Sequence, residues 1–223
     1  MTNFPPSVDL FTARLLFLWA FGVRNITLDI DDCLVDTNGV SEKIAARYGE
    51  TLNYSDFNYI NRCSPACAEE ISKFLFVGDA SCDHKLVPLT STNIPRNIKE
   101  LSTILNIHYV TTRAPEKYEP TLRYFEHKDI HVPRNNLIAL GAGADKIDVI
   151  LKLKSLFHMD DSATTIQKCM EYNVNFCMMS NPKTGYNIPM REKVGKRWVG
   201  SFDEFWQRKF EFLPMINQKG ILK

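Results

Sequence analysis

The stretch from Asn25 to Asp36 reads N-I-T-L-D-I-D-D-C-L-V-D, and the fold turns on how it is taken. Ile26, Leu28 and Ile30 alternate strictly, the period of a β-strand with one side buried. Asp29 and Asp31 follow two residues apart, so in an extended chain both side chains project to the same side. Two carboxylates that close repel each other unless something positive sits between them. A hard cation with oxygen ligands, most simply Mg²⁺, meets that need. Taken alone, Asp-Ile-Asp-Asp is equally a polar strand end entering a turn, where Asp is common. Complementary chemistry elsewhere in the chain has to decide.

The 223 residues carry a formal charge of only +1. That length suits one α/β core plus a smaller appendage. The balanced charge argues against holding nucleic acid through a general phosphate-backbone field, but leaves room for a single nucleotide or a short strand. The six cysteines (33, 63, 67, 82, 169 and 177) are too sparse for a disulfide framework and read as reduced thiols of a cytoplasmic protein. Cys63, Cys67, Cys82 and His84 could hold zinc, although C-x3-C and C-x-H are not standard zinc spacings. The apolar run 15–23 is shorter than the roughly 20 residues a membrane span needs and lacks a signal peptide's flanks. It fits a helix over 8–21 that must be covered by the sheet or by a second copy of the chain.

After Asp36 the pattern turns helical at 41–48, 54–61 and 67–76, and nothing in 37–92 reads as a core strand. We take 37–92 as a small helical insertion and assign 1–36 and 93–223 to the core. Beyond it, a helix at 93–105 precedes strands at 107–110, 136–140, 156–159 and 174–178, with helices at 118–127, 145–153 and 163–172 between them. Such alternation implies right-handed crossovers and a doubly wound parallel α/β sheet covered on both faces. Ser201 and Glu204 form a capping box that opens a last helix, ended by Pro214.

Ligands of such sheets bind outside the carboxyl ends of the strands. Asp29 and Asp31 end the first core strand, Thr111 the second, and Asp160-Asp161 the fourth, while Lys146 opens the helix after the third. A turn threonine, a surface lysine or an acidic helix cap is unremarkable singly; together at one rim they suit phosphoryl transfer. Asp29 would attack phosphorus to form an aspartyl-phosphate. Asp31 would protonate the leaving oxygen and then activate water. Mg²⁺ held by Asp29 and the acidic pair would neutralise charge. Thr111, with Thr112 beside it, and Lys146 would hold the phosphoryl oxygens.

Asp29-Ile-Asp31-Asp-Cys-Leu34, Thr111, Lys146 and Asp160-Asp161 resemble, in order, the four motifs of haloacid dehalogenase (HAD)-like phosphatases, over roughly 25–180. The family's first motif usually reads D-x-D-G-T-L; here Asp32 and Cys33 take the Gly and Thr places. The resemblance implies a Rossmann-like core whose metal is held by Asp29, the Asp31 backbone carbonyl and an acidic residue of the last motif, with Asp161 preferred and Asp160 in support. It also implies that 37–92 is a cap over the site. Thr111-Thr112-Arg113, residues 137–146, Met159–Ser162, and Asn181-Pro182 followed by Arg197-Trp198 look like the 5′-nucleotidase and deoxyribonucleotidase branch. By that likeness the substrate is a nucleoside monophosphate, Phe57, Tyr59 and Phe76 are candidate base contacts, and Arg113 is a candidate substrate contact. Two alternatives remain on the table. One is a nucleic-acid end phosphatase that uses Lys183, Arg191, Lys193, Lys196 and Arg197; the other is a non-catalytic regulatory protein on the same fold.

Overall fold

The computed structural model describes residues 19–55, 59–74, 87–181 and 184–213, and the backbone of 216–217 and 220–221. The expected helix over 8–21 falls outside the described residues except at its end, where Trp19 packs on the core and Phe21 is exposed.

Six strands, β1 (Asn25–Leu28), β2 (Asn106–Thr111), β3 (Leu137–Ala139), β4 (His158–Asp160), β5 (Phe176–Met179) and β6 (Trp198–Val199), form one sheet in the order β3-β2-β1-β4-β5-β6. Every neighbouring pair is parallel. This is the doubly wound α/β arrangement that the strand–helix alternation predicts. β6 and the helix before it were not anticipated. Two residues are too short to show an alternation, and β6 exists through its pairing with Met178 and Met179.

Helices cover both faces. α3 (Ile94–Ser102), α4 (Tyr118–His127) and α8 (Phe202–Phe212) bury Ile98, Phe125 and Phe205 with Leu28 and Phe157 in the larger core. α5 (Lys146–Lys152), α6 (Ala163–Glu171) and α7 (Ile188–Val194) bury Ile147, Ile166 and Val194 with Phe176 and Met178 on the other side. Ser201 caps α8 as expected, its Oγ accepting from Glu204 N at 3.2 Å, but Glu204 Oε2 reaches back to Gly200 N at 2.8 Å, one residue before the cap, instead of closing the box. β1 is central, so its second face is also buried. Thr27 lies there, with its hydroxyl 3.0 Å from Ser155 Oγ and 2.9 Å from His158 Nδ1. A strand buried on one side only, as the alternation predicts, is thereby corrected.

Beyond β1 the chain bends instead of extending. Leu34 N and Val35 N both donate to Ile30 O, and Asp32 adopts φ 54°. Asp32 stands where the resembled motif carries Gly, in a backbone region that costs most residues about 1–2 kcal/mol. Its short carboxylate offsets this by accepting from Asn38 N at 2.8 Å. The turn leads into α1 (Thr37–Arg47), capped by Asp36, whose Oδ1 accepts from Gly39 N at 2.8 Å.

α1, a 3₁₀ turn at Tyr59–Arg62 and α2 (Pro65–Ser72) build a separate apolar cluster of Ile44, Ala45, Leu52, Tyr54, Tyr59, Cys67 and Ile71. The helix expected over 54–61 is this shorter 3₁₀ turn, and that expected over 67–76 begins earlier, at Pro65. Tyr186 of the core packs against the cluster and donates its backbone N–H to Tyr54 O at 3.0 Å. Near the C-terminus β7 (Ile216–Asn217) pairs antiparallel with β8 (Gly220–Ile221). Among the described residues no helix is long and apolar enough to cross a membrane.

Candidate active site

β1 delivers Asp29 one residue past its end, where Asp29 N still donates to Met159 O of β4 at 2.8 Å. α5 delivers Lys146 at its first position. Asp145 caps that helix by accepting from Ile147 N, which orients the first turn. The buried Lys146 ammonium lies 2.8 Å from Asp29 Oδ1 and 2.8 Å from Asp160 Oδ2. Burial alone would lower the lysine pKa, but Asp160 and Asp29 outweigh it and hold the ammonium charged.

Asp160, fully buried, has both oxygens taken. Oδ2 receives Lys146 and His158 Nε2 at 2.9 Å, and Oδ1 receives Ser162 N at 2.8 Å. Burial would raise its pKa, yet Lys146 and His158 bring it down to about 2. The acidic side chain facing the cleft is Asp161, whose backbone carbonyl accepts from Asn187 Nδ2 at 3.0 Å.

Asp29 and Asp31 take different partners. Past the bend after Ile30, Asp31 forms a two-pronged ion pair with Arg113, whose Nε lies 2.9 Å from Oδ2 and Nη2 2.6 Å from Oδ1. Arg113 is anchored in turn by Thr121 Oγ1 at 3.1 Å, and its backbone N–H donates to Thr111 Oγ1 at 3.2 Å. Burial would raise the Asp31 pKa, but Arg113 holds it below the usual carboxylate range. Arg113, a candidate substrate contact, meets a carboxylate of the site.

Asp29, Asp31, Asp32, Thr112, Lys146 and Asp161 line a cleft of about 550 Å³, edged by Tyr186 and Asn187. Thr111 lies buried beneath Thr112 in sequence, at the end of β2. Burial pushes Asp29 and Asp32 up to about 7 and Asp161 well above the carboxylate range, with neighbouring carboxylates adding to the effect. Lys146 and Arg113 are already paired with Asp29, Asp160 and Asp31. Carboxylates crowded this way fit a divalent cation. Oxygens of Asp29 and Asp161 lie with Cys33 Sγ within 4.8 Å of one another. The oxygens suit Mg²⁺; the buried Cys33 thiol, a soft donor kept protonated, does not.

Of the expected aromatic contacts, Phe57 and Phe76 lie outside the described residues, as do Cys82, His84 and Lys183. Tyr59 is turned inward, donating to Asn38 Oδ1 at 3.2 Å and packing on Tyr54 with ring centroids 4.7 Å apart. Tyr186 holds the cleft position instead. Within the basic run, Arg191 donates to Thr184 O and Arg197 to Asn175 Oδ1, while Lys193, bonded to Gln167, and Lys196 are exposed. His158 went unread, although His158 and Asp160 share one face of β4 by period two. Asn187 carries no sequence signal, because a loop places it.

No family model and no curated protein matches this sequence. Among solved structures, an HAD family hydrolase from Deinococcus radiodurans R1, with bound phosphate and sodium, aligns over 84% of this chain and 95% of its own at 11% identity and TM-score 0.56. A predicted phosphatase from Clostridium acetobutylicum aligns over 85% of this chain and 99% of its own at 14% identity and TM-score 0.51. At these identities the likeness establishes a shared fold, the HAD-like α/β core.

Proposed function

We propose that the protein hydrolyses phosphomonoesters, with Asp29 as nucleophile. The observation that carries the reading is the Lys146 ammonium 2.8 Å from Asp29 Oδ1, at the strand-end rim of an HAD-like sheet, with Asp161 facing the same cleft. A cationic group beside a carboxylate there favours an anionic substrate and opposes the burial that raises the pKa of the nucleophile.

In the first step an Asp29 oxygen bonds to phosphorus while the ester P–O bond breaks, and the leaving oxygen takes a proton from Asp31. In the second, Asp31 accepts a proton from water as the water oxygen attacks phosphorus, and the P–O bond to Asp29 breaks. Asp31 rests as a carboxylate against Arg113, which suits the second step; the acid half requires that pair to open. Thr112 and Lys146, which line the cleft, hold the phosphoryl oxygens; Thr111 supports them from the buried end of β2, its hydroxyl accepting from Arg113 N; and Asp160, clamped by His158 and Ser162, keeps Lys146 aimed at Asp29. Asp29 and Asp161 would hold Mg²⁺, together with the Asp31 backbone carbonyl that the family likeness adds. When bound, the ion supplies positive charge to the phosphate and the attacking carboxylate.

The substrate class this reading favours is a nucleoside monophosphate. A cleft of about 550 Å³ lies within the range of small-molecule sites, and Tyr186 offers an aromatic wall at its edge. Asp29→Asn is expected to lower hydrolysis of an aryl phosphate by about three orders of magnitude or more while leaving the circular dichroism spectrum unchanged. Wild-type turnover in that variant would remove the assignment. Rates on mononucleotides, sugar phosphates and end-phosphorylated oligonucleotides then test the substrate class.

A further inference from the structure

The helical insertion gathers a second set of metal-ligating groups, outside the cleft. Cys63 follows the 3₁₀ turn, Cys67 lies in the first turn of α2, and Glu50 follows the end of α1. The two Sγ atoms and a Glu50 oxygen all lie within 4.8 Å of one another. Cys67 is wholly buried and Cys63 half-buried, and neither is in a disulfide.

The Glu50 carboxylate is already aimed: it accepts from Ser64 N at 3.0 Å and from the Ser64 hydroxyl, which fixes its plane while leaving lone pairs on both oxygens. The Cys63 thiol donates to Tyr59 O at 3.7 Å, a bond that gives way when the proton leaves for a metal. Partners that orient a ligand from behind, as Ser64 does Glu50, are the usual company of a metal site. A carboxylate has no use beside a cysteine pair destined for a disulfide, since it disfavours the thiolate that must attack. Burial pushes the Cys63 thiol up to about 11, with Cys67 and Glu50 adding to the rise, so the two thiols take on negative charge beside the Glu50 carboxylate only against a cation.

We propose that Glu50, Cys63 and Cys67 form a site for a thiophilic divalent cation, Zn²⁺ or Cd²⁺. The ligand set is two sulfurs and one oxygen, the chemistry that a tetrahedral d¹⁰ ion takes and Mg²⁺ refuses. Binding deprotonates both thiols, releases their protons to solvent, and ties the end of α1 to the start of α2. Of the expected zinc set, Cys63 and Cys67 belong to this group and Cys82 and His84 lie outside the described residues; Glu50, 13 residues before Cys63, adds a ligand that no spacing rule selects.

The test is Cd²⁺ titration of the reduced full-length protein in excess Mg²⁺, read by the cadmium–thiolate charge-transfer band, with Zn²⁺ as competitor. One equivalent should bind, and Zn²⁺ should displace it. Cys63→Ser and Glu50→Gln, both changes at partly exposed side chains, should each weaken binding about tenfold or more, and Cys33→Ser should leave it unchanged. Absence of the band would overturn the proposal. So would wild-type affinity in Cys63→Ser, or loss of the band in Cys33→Ser, which would move the ion to the cleft. The titration does not depend on phosphatase activity, so the two proposals stand or fall separately.

Discussion

The pairing of Asp31 with Arg113 sets the chemistry at the scale of single residues. Asp31 is two residues from Asp29, yet the bend at Ile30 and the positive φ of Asp32 send the two carboxylates to different cations. Arg113 holds the Asp31 pKa down against a burial effect that acts the other way. Removing the guanidinium leaves burial opposed only by the smaller effects of Lys146 and Lys117, so the Asp31 pKa must rise. Arg113→Ala is therefore expected to move both limbs of the pH–rate profile to higher pH, by about one unit or more. Arg113→Lys keeps the charge but not the fork and should shift them less. An unmoved profile in Arg113→Ala would detach Asp31 from the rate.

At the scale of elements, the chain divides its apolar residues between separate cores. Ile71 of α2 is fully buried in the cluster built by α1 and α2, whereas Phe205 of α8 stacks on Phe157 in the main core with ring centroids 5.5 Å apart. Truncating either leaves a cavity, at a cost of about 2–5 kcal/mol for isoleucine and 3–5 kcal/mol for phenylalanine. The reach of that cost should differ. Ile71→Ala should raise amide exchange chiefly within 37–74, and Phe205→Ala should raise it across the sheet. Equal loss of protection throughout in Ile71→Ala would mean that insertion and core unfold as one unit.

For the whole molecule, the crowding of carboxylates makes stability depend on pH and on cations together. Asp29 and Asp32, with folded pKa values raised from 3.8 to about 7, contribute stability that is full below 3.8 and lost as pH rises through 7. Asp161 is raised in the same sense. Asp160 and Asp31 run opposite: their contribution is present above 3.8 and lost as pH falls toward their depressed values. His158 and His108, both lowered by burial, contribute above 6.5 and lose that contribution below it. Between about pH 8 and pH 6.5 the raised carboxyls dominate, so cation-free protein should gain several degrees of Tm over that interval on acidification. Mg²⁺ should stabilise most at the alkaline end, and Asp161→Asn should flatten the pH dependence. A Tm that instead rises with pH in the absence of divalent cations would contradict this account.

The order of strands and helices was legible in the chain because it rests on local periodicity. The alternation at Ile26, Leu28 and Ile30 and the helical spacing of 118–127 are properties of neighbours in sequence, and the structure places α4 at Tyr118–His127. The rim was legible too, since parallel strands bring their carboxyl ends together whatever their side chains, and Asp29, Lys146 and Asp161 meet there. What sequence could not reach were pairings set by side-chain direction. Asp31 turns to Arg113 because of one backbone bend; Asp160 is consumed by Lys146, His158 and Ser162; Asn187 and Tyr186 come to the cleft on a loop. The stretch from Asn25 to Asp36 by itself determined a core strand ending in carboxylates. Only the packed sheet decided which cation each carboxylate meets, because a bend of a few residues redirects a side chain that periodicity assumes to be straight.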